Sequence, residues 1–202
     1  MAQSTFNALS NDTDILSSSI ISWALARVGS SLSVESGINQ IKAGYNNPEW
    51  VIRRFFCRWD TSALTSLATI TAVDLKIYVS AVVSTGGGAL QIVSSTATDG
   101  VLQTSDWDNL GSTVFATIDI SSLSVGAYNT FSLDANGIAQ INKTGNTKLA
   151  FRISQDISNT DPNPNESNAT IRVSGSASPQ QLVITYTVPV VSSGASFIEN
   201  FV

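Results

Sequence analysis

Apolar and polar residues alternate along most of this chain with the period of two that an extended strand requires. Val73, Leu75, Ile77 and Val79 interleave with Asp74, Lys76, Tyr78 and Ser80. Leu149, Phe151 and Ile153 interleave with Ala150, Arg152 and Ser154, and Leu182, Ile184 and Tyr186 with Val183, Thr185 and Thr187. Each pattern predicts a strand with one face in a core. Residues 51–59 carry large side chains on both faces, which suits a central strand. Residues 118–120 and 130–133 predict two more strands, joined through 121–128 with a turn at Gly126. Gly86, Gly87 and Gly88 mark a connection before a strand at 90–93.

Two short helices interrupt this pattern. Thr104 or Ser105 is placed to cap a turn running through 106–110 and ending at Gly111. Asp134 is placed to cap a helix over 135–142, with Ile138 and Ile141 on one face and Gly145 just beyond its end. Helices this short depend on packing against sheets. Many short strands at turn-punctuated spacing predict an all-β fold, a two-sheet antiparallel jelly-roll sandwich with one or two short helices. Residues 1–188 read as one domain, strands at 1–49 leading into a core at 50–188. Residues 189–202 read as an apolar arm: Pro189 interrupts the last strand, Ser192, Ser193 and Gly194 form a joint, and Phe197, Ile198, Phe201 and Val202 follow. Exposed apolar ends favour association, so the arm is expected either to fold back on its own sheet or to dock on a neighbouring subunit, with these four as the partner-docking residues.

Composition narrows the chemistry. Serine occurs 31 times and threonine 19 times in 202 residues, while charged residues make up only 12%. The surface is therefore expected to be uncharged and hydroxyl-rich, and the 43% hydrophobic content is ample for a core. Ten basic against fifteen acidic residues give a net charge of −5, which argues against nucleic acid as a partner. Histidine is absent, which removes Ser-His and Cys-His nucleophile pairs and His-ligated metal sites. The lone Cys57 can form no intramolecular disulfide and is expected to be a small buried hydrophobe. The start of the chain has no basic-then-apolar signal pattern, and no stretch is apolar for the 18 residues a membrane span needs.

Four segments together resemble the DNRLRE-type domain, a jelly-roll module similar to carbohydrate-binding modules. Residues 54–64, Arg-Phe-Phe-Cys-Arg-Trp-Asp-Thr-Ser-Ala-Leu, resemble its signature, with Trp59 where phenylalanine is usual. Residues 70–79 resemble its next strand, 128–138 its strand-into-helix element, and 179–187 its closing strand. The resemblance spans residues 50–188. It implies a β-sandwich of the kind found in cell-surface proteins, wall-associated enzymes and phage structural proteins, with no catalytic constellation to transfer. It also leaves room for a single structural calcium, and otherwise no cofactor is expected. Asp60 or Thr61 is expected to bond backbone amides where their strand ends.

The remaining candidates are polar loops and aromatics. Asp106 and Asp108 flank Trp107 and read as capping and solvation, not as the facing carboxylates of a glycosidase. Residues 161–166, Asp-Pro-Asn-Pro-Asn-Glu, alternate oxygen ligands as a calcium loop does, but Glu166 stands where such a loop needs glycine. An ordinary polar connection is the expectation there. Tyr45, Trp50, Trp107 and Tyr128 are the candidate glycan-binding aromatics, since sugar rings stack on exposed aromatic faces. Arg53, Arg54 and Arg58 suit partner carboxylates better than phosphates. These features point to a non-enzymatic structural protein of an assembly, a virion component such as a decoration, tail or fibre protein. Its partners would be other copies of itself or virion proteins. The alternative is a carbohydrate-binding module of a cell-surface or extracellular complex, with polysaccharide as the partner.

Overall fold

A computed structural model describes residues 1–9, 13–35, 39–84, 87–162, 168–173 and 177–189. Its strands are β1 (Ala2–Asn7), β2 (Thr13–Ser19), β3 (Leu32–Glu35), β4 (Gln40–Asn46), β5 (Glu49–Asp60) and β6 (Thr69–Ser84). They continue with β7 (Ala89–Ser94), β8 (Ala116–Asp119), β9 (Ala127–Ser132), β10 (Asn146–Ile153), β11 (Asn168–Val173) and β12 (Gln181–Thr187). Three five-residue helices intervene: α1 (Trp23–Arg27), α2 (Ala135–Ala139) and α3 (Ser154–Ser158).

Two long strands organise the sheets because each is paired on both edges. β5 takes β2 along one edge, and β4 and then β10 along the other. With β3 on β2, and β7 and β8 beyond β10, these seven strands make the larger sheet. β6 takes β9 on one edge and β12 on the other, and β1 closes the outer side of β12, giving a four-stranded sheet. β11 bridges β4 and β6, so the hydrogen-bonded ladder runs unbroken from one sheet to the other. Every pairing is antiparallel, and the result is the expected all-β jelly-roll sandwich.

The core lies where the alternation puts it. Val73, Leu75, Ile77 and Val79 of β6 are buried, as are Leu182 and Ile184 of β12. The central strand β5 buries side chains on both faces, among them Ile52, Phe55, Cys57 and Trp59. Trp59 donates its indole N–H to the carbonyl of Gln180 at 3.1 Å, so the buried ring leaves no polar atom unmet. β10 departs from simple alternation: Ala150 and Arg152 are buried along with Leu149, Phe151 and Ile153. It lies between β5 and β7 and is covered on both faces.

The helices are corrected in detail. Asp134 caps α2 as expected, accepting from the Gly137 N–H at 2.8 Å, but the helix stops at Ala139, not at Asn142. The segment after Gln103 forms only a 3-10 turn, Thr104–Asp106, and Gln103, not Thr104 or Ser105, is its cap. α1 and α3 are additions that alternation does not predict. Asp60 behaves as expected, accepting from the Ser62 N–H and hydroxyl at 3.0 and 2.6 Å. The docking residues Phe197, Ile198, Phe201 and Val202 lie outside the described residues, as does most of the 161–166 loop.

Candidate functional site

A cluster of charge buried in the larger sheet, and the cavity above it, is the most developed polar site. β5 directs Arg54 inward, β10 supplies Arg152, and Asp156 of α3 follows Arg152 by four residues. All three side chains are buried. The Asp156 carboxylate accepts from Arg54 Nε and Nη2, both at 2.9 Å, and from Arg152 Nε at 2.7 Å. Burial alone would push this carboxyl up. The two guanidinium groups outweigh it, and Asp156 is held below the usual carboxylate range.

The rest of the Arg54 fork is also used. Its Nη1 donates to the Trp107 carbonyl at 2.9 Å and to Asp108 at 3.2 Å, and its Nη2 donates to the Arg27 carbonyl. The guanidinium lies 3.8 Å over the Trp107 ring, a cation–π contact in a desolvated setting. Trp107 in turn donates its indole N–H to the Arg27 carbonyl at 3.2 Å. α1 and the 104–108 turn are thereby tied to β5 through one arginine. Arg27 itself reaches back to donate from Nε to the Asp156 carbonyl at 2.8 Å. A cavity of about 400 Å³ opens over this cluster, lined by Arg27, Arg54, Arg152, Asp108, Val28 and Leu110, with Gly111 and Ser112 at its side.

The glycan candidates are not gathered into one place. Tyr45 and Trp50 meet across the β4–β5 hairpin, whose Asn47–Pro48 bond is cis, with rings edge-on at 4.9 Å and both half-buried. Trp50 donates to Asp161 at 3.0 Å. Tyr128 lies on β9 in the other sheet, edge-on to Tyr78, with its hydroxyl donating to the Pro179 carbonyl. Trp107 is a correction: it is 2% exposed, so no sugar can stack on it, and its role is to hold Arg54.

The other candidates resolve into structural parts. Asp106 is buried and accepts from the backbone N–H groups of Thr98 and Gln103, so it is an internal cap, while Asp108 is exposed as expected. Arg53 pairs with Asp14 at 2.7 Å, and burial pushes the Asp14 carboxyl up despite that contact. Among the described residues no three acidic or thiol side chains gather to hold a metal ion, and no helix is long and apolar enough to cross a membrane. Sequence reasoning missed the partnership of Arg54 with Asp156. The four-residue spacing of Arg152 and Asp156 was its one local signal. No protein-family model matches the chain, and no curated protein shows significant similarity to it.

Proposed function

We propose that the protein is a non-enzymatic structural component of an assembly, a virion protein of the decoration, tail or fibre class, that works by contact. The observation that carries this reading is a run of exposed apolar side chains between β2 and β3, called the ridge below. Ile20, Ile21 and Val28 are 66%, 73% and 64% exposed, and Leu25 of α1 stands between them in sequence. Four large apolar side chains within nine residues favour covering by another protein surface. The buried carboxylates Asp14, Asp106 and Asp156 each accept hydrogen bonds from within the fold, which supports structural roles for them. The native mass of the protein in its source, by sedimentation or particle imaging, tests the reading. Megadalton particles are expected, and a monomer there would overturn it.

A second reading is favoured by the Tyr45–Trp50 pair. A half-buried aromatic couple on a hairpin, beside Asn46, Asn47 and Glu49, has the chemistry to hold a neutral polysaccharide. On a glycan array the protein then binds a polysaccharide, and Trp50→Ala weakens that binding by roughly tenfold. Absence of any hit removes this reading.

A further inference from the structure

The cationic cavity and the apolar ridge meet at Val28, which is exposed and lines the cavity, with Arg27 next to it in the chain. The cavity also has hydrogen-bonding capacity left over. Arg152 is 4% exposed, yet among the described residues its Nη1 has no partner. Among the described residues the buried side-chain polar atoms without a partner are Ser17 Oγ and Trp23 Nε1, so the Arg152 nitrogen is one that the cavity reaches. Arg27 uses only its Nε, and both of its terminal nitrogens are likewise without a partner among the described residues. Three guanidinium groups face the cavity against the carboxylates of Asp156 and Asp108, leaving a surplus of positive charge. A donor that opens onto a cavity calls for an acceptor, and a carboxylate suits the planar arginine fork.

The chain holds a segment with the matching order of groups. Residues 197–202 read Phe-Ile-Glu-Asn-Phe-Val, one carboxylate flanked on both sides by large apolar side chains. The ridge and cavity present the complement, apolar Ile20, Ile21, Leu25 and Val28 beside unpaired arginine donors. Residue 189, from which this segment continues, follows β12 in the four-stranded sheet, whereas the cavity lies on the larger sheet.

We propose that residues 197–202 of a second copy dock on this surface, with Glu199 entering the cavity to meet Arg27 and Arg152 and the flanking apolar side chains covering the ridge. The proposal deepens the assembly reading and rests on it. Arg54 and Asp156 form the floor that holds Arg152 in place.

The test is sedimentation of the full-length chain across concentrations up to about 100 μM, an affinity range typical of weak specific contacts. Concentration-dependent self-association is expected. Glu199→Gln and Arg27→Glu each weaken it by about tenfold or more, as loss of a close interfacial charge pair does. The combination of Arg27→Glu with Glu199→Arg restores it to within about threefold of the original. Urea melts of each variant check that the sandwich stays folded. A chain that stays monomeric throughout overturns both this proposal and self-docking as the basis of the assembly. Self-association that neither Glu199→Gln nor Arg27→Glu alters, or that the charge swap fails to restore, overturns the cavity proposal alone and leaves the assembly reading standing.

Discussion

Arg54 shows how much one side chain can decide in this protein. Its five N–H donors join β5, α3, α1 and the 104–108 turn, and every one of those partners is distant in the chain. A buried ion pair contributes little net stability while intact, but removing one member strands a charge in a low-dielectric setting. Asp156→Asn is therefore expected to cost about 3–5 kcal/mol in urea unfolding at neutral pH. The pH dependence has a definite sign. Because Asp156 is held below the ordinary carboxylate range, its contribution is present above that range and lost as the pH falls through the native value. The acid limb of the stability profile should accordingly be shallower in Asp156→Asn than in the parent chain. Asp14, pushed up by burial, acts with the opposite sign just above the ordinary range. Ser17 offers a contrasting case: its buried hydroxyl has no partner among the described residues, so Ser17→Ala should leave the urea midpoint unchanged or slightly raised.

At the scale of elements, α1 explains how a five-residue helix survives when its length alone would not sustain it. Ser22 caps its start by accepting from the Leu25 N–H at 3.3 Å. Its end is a Schellman turn, with Ser30 N–H on the Leu25 carbonyl and Gly29 N–H on the Ala26 carbonyl. Gly29 sits at φ +79°, and a Cβ there would lie 2.9 Å from Trp107 Cδ1. Gly29→Ala should thus lower stability by about 1 kcal/mol or more, and loosen the Trp107 shelf beneath Arg54, read as altered tryptophan fluorescence. Trp23 and Ala26 are the buried face of this helix, while Leu25 and Val28 point outward. Sequence alternation missed α1 because Ser17 to Ile21 continue the strand-like run, and only packing against β2 and β5 turns the chain there. By contrast, the Asp134 cap and the strand cores of β6 and β12 were legible, since their signals are local: one capping side chain, or a period of two.

For the molecule as a whole, stability and assembly are expected to separate. The ridge residues are exposed, so replacing Ile20 and Ile21 together by serine should shift the unfolding free energy by no more than about 0.5 kcal/mol per site. The same double variant should lose association with its partner, measured by sedimentation under identical conditions. If unfolding and assembly fell together, the ridge would belong to the core of the sandwich. The alternating strands determined by themselves that this is an all-β protein, and the missing histidine that no nucleophile in it is paired with an imidazole, because those properties follow from local period and residue type. Tertiary structure decided what Trp107 and the arginines do. An aromatic between two aspartates looks solvent-facing in sequence, yet folding places it under a guanidinium brought from β5. Burial and charge pairing depend on which distant segments meet, and neither composition nor spacing along the chain carries that information.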